Sequence, residues 1–119
     1  MEHWSYEGVK VFRQLGIISG GYKNEYHLEE PIKKQNVYNF ARLLKPNHLS
    51  KEFIIPFQDN EDVLINQDVL DLLEANGLTA ELLSEETKQH VEDEYTVKRG
   101  TLYMVLTEIA NLLEEKEKK

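Results

Sequence analysis

The sequence predicts an α+β fold that is mostly helical, with about five helices, a small β-hairpin over residues 17–28 and a second short strand pair within 53–65. Three observations lead there. Apolar residues recur at helical spacing in several windows, most strongly at Leu102, Val105, Leu106, Ile109, Leu112 and Leu113. A Gly20-Gly21 pair separates two short runs, "IIS" and "YKNEYHL", as a two-residue hairpin loop does. The most hydrophobic run, "EFIIPF" at 52–57, is too short for a helix.

The elements follow in order. Trp4, Gly8, Val11, Phe12 and Leu15 keep helical spacing, with Ser5 as the cap residue and Gly16 as the left-handed residue after the last turn. In the hairpin, glycine supplies the positive φ that a tight loop requires. Tyr22, Asn24, Tyr26 and Leu28 then share one strand face, with Lys23, Glu25 and His27 on the other. Pro31 suits the first turn of a second helix, whose stripe is Val37, Phe40, Ala41 and Leu44 and which "KPN" at 45–47 ends. Pro56 confines 52–57 to an edge strand or extended core segment, and Val63 to Ile65 pairs back as a brief strand. Asn66 caps a short helix with Val69, Leu70, Leu72 and Leu73 inward, and "ANGL" at 75–78 ends it. An acidic helix spans Thr79 to Tyr95, and Gly100-Thr101 opens the last helix. Trp4, Phe12, Phe40, Phe53 and Phe57 read as core residues. No internal repeat is visible.

A chain of 119 residues forms one domain, here a near-neutral helix-hairpin-helix part (1–60) followed by an acidic helical part (61–119). The formal charge is −8. Residues 1–60 hold 8 Lys/Arg and 7 Asp/Glu, a sum of +1, and residues 61–119 hold 6 and 15, a sum of −9. Such a balance opposes non-specific binding of the second half to nucleic acid or anionic membrane. The lack of cysteine excludes disulfides, iron–sulfur clusters, cysteine zinc sites and a thiol nucleophile. No apolar run has the length of a membrane span, and "MEHWSYEG" lacks the pattern of a signal peptide, so the reading is a cytoplasmic protein.

Catalytic patterns are tested and set aside. The glycine pair precedes a strand rather than a helix, and Lys23 is not followed by Ser or Thr, unlike a phosphate loop. No two of His3, His27, His48 and His90 lie at i, i+4, and "HVEDEY" at 90–95 lacks the glycine turn of a calcium loop. The serines at 5, 19, 50 and 84 sit at caps and turns without a nucleophile-elbow pattern. The expectation is no enzyme activity, no metal and no cofactor.

One phrase carries a resemblance. Leu15-Gly16-Ile17 is followed by Asn24-Glu25-Tyr26 and then Leu28. This resembles the end of the recognition helix and the two-stranded wing of winged-helix modules in bacterial and phage replication-initiation and regulatory proteins. The resemblance implies that Ile17 anchors the first wing strand, and Tyr26 and Leu28 the second. It also implies that the exposed face of residues 5–15 meets the DNA major groove and that the Gly20-Gly21 tip meets the backbone. Under it, Lys10, Arg13, Gln14 and Lys23 are the nucleic-acid-binding candidates.

Two functions lead, ahead of a third in which paired carboxylates do acid–base work in a pocket. The first is a small, non-catalytic bacterial or phage-type regulatory protein that binds a protein partner through its acidic helical half. Its contact candidates are Tyr22, Tyr26, Glu92, Asp93 and Glu94. The alternative is a winged-helix-like DNA-binding regulator or replication accessory protein. The stripe of the last helix is wide enough to pack within the monomer or against a second copy in a homodimer.

Overall fold

The first helix, α1 (Tyr6–Gln14), begins where the chain leaves the turn at Trp4-Ser5. The Ser5 carbonyl accepts from the Gly8 and Val9 amides, and Gly16 closes the far end with φ 74° and an N–H that donates to the Arg13 carbonyl. The computed structural model describes residues 3–14, 16, 27–44 and 53–117, the side chains of 116 and 117 excepted. Among the described residues the helices α2 (Lys34–Leu44), α3 (Asn66–Ala75), α4 (Glu85–Asp93) and α5 (Arg99–Glu117) follow, with a 3₁₀ turn at Ala80–Leu82. Among the described residues none is long and apolar enough to cross a membrane.

The arrangement is all-α, which corrects the predicted α+β class: no strand forms among the described residues. Most of the predicted 17–28 hairpin lies outside those residues. The predicted strand pair within 53–65 does not form, for two reasons. The Ile54 amide and carbonyl are both taken by the Asn76 side-chain amide, at 2.9 and 2.8 Å, which occupies the edge a strand would need. Val63 and Ile65 instead make isolated bridges to Lys33 and Thr96.

Those bridges organise the fold. Three short segments, each leading into a helix, close a ring of backbone hydrogen bonds. Leu64 donates to Ile32, Ile32 to Val97 and Val97 to Leu64, at 2.8, 3.2 and 2.9 Å. A second ring runs the opposite way: Lys34 donates to Asp62, Asn66 to Tyr95 and Arg99 to Glu30, at 2.9, 2.9 and 2.8 Å. The bridges Pro31–Lys98, Lys33–Val63 and Ile65–Thr96 obey the same rotation. The segments are therefore equivalent in position, at offsets of 32 (64 − 32) and 33 (97 − 64) residues, an internal repeat of which the sequence carries only a short trace in Gln35-Asn36-Val37 and Gln67-Asp68-Val69. Burial follows the repeat: Ile32, Leu64 and Val97 are buried, as are Val37, Val69 and Leu102 five residues on. Capping follows it as well. Asn36 accepts from the Lys33 amide and Asp68 from the Ile65 amide, at 3.1 and 2.9 Å. In the third unit Thr101 occupies that place, and Glu94 accepts from the Lys98 amide at 3.1 Å in its stead.

The core is built on this ring, with α5 at its centre. Leu102, Tyr103, Val105, Leu106, Ile109, Ala110 and Leu113 are all buried, so this stripe is used within the monomer. Each such aliphatic side chain stabilises the fold by roughly 1.5–3 kcal/mol relative to exposure. Phe12, Phe40 and Tyr103 meet at centroid distances of 5.5, 4.8 and 5.6 Å and tie α1, α2 and α5 together. The single acidic helix expected over Thr79–Tyr95 is broken at Leu83, whose backbone is extended. Ser84 restarts the chain as the α4 cap, with its amide held by Glu108 at 2.6 Å. Trp4 and Leu70, both expected inward, are half-buried and 36% exposed respectively.

Candidate interaction surface

Helices α3 and α4 present their polar sides outward because their apolar positions are consumed by the core. On α3, Val69, Leu72 and Leu73 point in, which leaves Gln67, Leu70, Asp71 and Glu74 on the exposed face at i, i+3, i+4 and i+7. On α4 only Thr87 and Val91 are buried, and Glu85, Glu86, Gln89, Glu92 and Asp93 are exposed. Residues 66–95 contain 9 Asp/Glu and 1 Lys, a sum of −8. Asp68 and Glu94 turn inward, and Lys88 is committed to Glu81 at 3.0 Å. That contact raises the Lys88 pKa, first through the hydrogen bond to Glu81. The exposed residues of the two helices thus carry a strong excess of negative charge, with exposed Tyr95 just past the end of α4. Asp71 and Glu74, with Ala75, line a shallow open depression of about 370 Å³.

The candidates from sequence fall in different places. Glu92 and Asp93 lie exposed on the last turn of α4. Glu94 is folded in: its carboxylate accepts from the Lys98 amide and from the Thr101 hydroxyl at 2.8 Å, and faces His90 at 3.0 Å. It orders the start of α5 rather than standing outward. Lys10, Arg13 and Gln14 are all exposed along α1, and Lys10 is paired with Glu7 at 3.3 Å. Tyr22, Lys23 and Tyr26 lie outside the described residues. Sequence reasoning placed Leu70 inward and passed over Asp71, Glu74, Glu85 and Glu86. The acid-to-lysine imbalance of 66–95 was the available signal, and the 61–119 sum diluted it with the cations of the tail.

A second cluster has the connectivity of a catalytic triad. The Ser5 hydroxyl lies 2.7 Å from His3 Nδ1, and His3 Nε2 lies 2.5 Å from Glu29. Because the Ser5 amide also donates to Nδ1, at 3.2 Å, the ring is the Nε2–H tautomer donating to Glu29. Lys98 reaches the other Glu29 oxygen at 2.8 Å. The His3 hydrogen bond, followed by that of Lys98, holds the Glu29 carboxyl down at about 2, and the same contact raises the Lys98 pKa. Ser5 is 0% exposed, however, and its hydroxyl lies against the Gly100 backbone. A nucleophile needs room for a carbonyl carbon at about 3 Å, which this enclosure denies. The cluster binds the entry of α1 to the entry of α5. Beside it, the Trp4 ring stacks on His90 at 3.8 Å and 4°. Among the described residues no group of three or more His, Asp or Glu is placed to hold a metal ion. No protein-family model, curated protein or solved structure matches the chain, so the outer face of α3 and α4 stands as its candidate site on geometry and charge alone.

Proposed function

We propose that the protein is a small, non-catalytic regulatory protein that binds a basic protein partner through the outer face of α3 and α4. One observation carries the reading. Of the nine carboxylates in residues 66–95, seven are exposed, and the one lysine among them is already paired. A field of this kind steers cationic partners and repels polyanions. The enclosure of Ser5 supports a non-catalytic role.

The test compares wild type with a variant carrying Asp71→Asn, Glu74→Gln, Glu85→Gln and Glu86→Gln as baits in host lysate. Basic proteins retained by wild type are lost from the variant. Equal retention by both baits sinks the reading.

The exposed row of Lys10, Arg13 and Gln14 on α1 favours a second reading, DNA binding through that helix and the following wing-like segment. A low-salt mobility shift decides it. Binding by wild type that is abolished by Lys10→Glu, Arg13→Glu and Lys23→Glu together replaces the first reading with the second. No shift, or a shift unchanged in the triple variant, removes the second.

A further inference from the structure

The three-fold repeat relates α2, α3 and α5 position by position. Tyr38, Leu70 and Tyr103 are equivalent, six residues past Ile32, Leu64 and Val97. In two units this position is covered by the chain itself. Tyr103 is 2% exposed, lying under α1, whose Gly8 rests on its backbone. Tyr38 is half-buried, edge-on to Phe57 at 6.3 Å, and its hydroxyl donates to the Phe57 carbonyl. In α3 the equivalent Leu70 is 36% exposed.

We propose that the outer face of α3 seats a basic amphipathic helix of a protein partner, docked there as α1 docks on α5. This deepens the acidic-face reading and rests on it. On α5, helix α1 crosses at Tyr103 and Met104, close enough that only a glycine fits. The equivalent pair on α3 is Leu70 and Asp71. The occupant therefore presents a small or apolar residue to Leu70, where a helix can approach closely. Its flanks meet Asp71 and Glu74, and residues 66–87 contain no Lys or Arg, so those flanks carry Lys or Arg. An α3 of 10 residues is about 15 Å long and accommodates about three turns of such a helix.

The test is a ¹⁵N-amide titration of the whole protein with three synthetic peptides. One is a Lys-rich helix with a Leu/Ala stripe, one is a Glu-rich helix with the same stripe, and one is a Lys/Ser peptide without a stripe. The Lys–Leu/Ala peptide shifts the amides of Gln67 to Ala75, and the other two leave them unmoved. Leu70→Ser and, separately, Glu74→Gln each weaken the binding about tenfold while circular dichroism stays unchanged.

Shifts confined to α4, or equal binding by the Lys/Ser peptide, overturn the α3 seat and leave the broader acidic-face reading standing. No shift on either helix with any basic peptide overturns both. A wild-type dimer in sedimentation that Leu70→Ser dissolves assigns the face to a second copy and also overturns the proposal.

Discussion

Replacing Gly8 by alanine tests the seat of α1 on α5 directly. A Cβ at Gly8 lies 2.9 Å from the Tyr103 carbonyl carbon, 3.0 Å from the Met104 nitrogen and 3.0 Å from the Tyr103 Cβ. Two of these three atoms are backbone of a buried helix and cannot swing aside. Carbon atoms in ordinary contact sit about 3.5 Å apart or more, so α1 must lift by roughly 0.5 Å. The same helix carries Val9 and Phe12, both 0% exposed, and a gap of that size weakens their contacts too. The Gly8 amide, which points at Met104 Sδ at 3.2 Å, is also displaced. Overpacking of this kind costs about 1–3 kcal/mol, and the better helix propensity of alanine offsets roughly 1 kcal/mol. Because two of the clashing atoms are backbone, the cost falls in the upper part of that range, about 2–3 kcal/mol, and the expected net loss is about 1–2 kcal/mol. It is read as a lower urea midpoint at unchanged slope, beside Gln14→Ala on the exposed side, which stays within about 0.5 kcal/mol. If Gly8→Ala is as stable as wild type, or more stable, propensity alone governs the site and α1 does not lie against α5 as described.

Two further predictions concern the junction at the start of α1. Glu29 has a folded pKa of about 2 against an ordinary 4.5, so its contribution is fully present above 4.5 and is lost as pH falls through the folded value. The carboxylate is 61% exposed, and screening limits the contribution to about 1 kcal/mol or less. Urea midpoints of wild type and Glu29→Gln should differ at pH 6 and converge towards pH 2, and a constant gap across that range refutes the assignment. Trp4 is the one tryptophan of the chain, and its ring lies on His90. His90→Ala should therefore shift Trp4 emission to the red and lower its anisotropy, and an unchanged spectrum speaks against the stack.

Features decided by neighbours along the chain were legible in the sequence. Val37, Phe40, Ala41 and Leu44 are buried as their spacing implied, and Gly16 and Gly77 end their helices with φ of 74° and 73°. Local reading fails where a distant partner intervenes. Ser5 stands at the helix entry as expected, but its hydroxyl turns to His3. Val9 was passed over, yet it is 0% exposed because α5 approaches through the gap at Gly8. Leu70 fits an apolar stripe and nonetheless faces out, because Val69, Leu72 and Leu73 already fill the inward side of α3. In the candidate surface the excess of carboxylates was visible in the composition. That Glu94 is consumed by the start of α5 depended on contacts with Thr101 and Lys98.

Where most helices form and where the charge accumulates can be read from residue type and spacing over a few turns. The tertiary structure alone decided that the three helix entries close on one another. That closure is made by backbone amides and carbonyls of Ile32, Leu64 and Val97 and their neighbours, which every residue but proline possesses. Each segment contributes only a bridge or two, so no alternating strand pattern is imposed on its side chains. For the same reason the repeat leaves only a faint trace in the sequence, and the equivalence that singles out the outer face of α3 emerges from the structure.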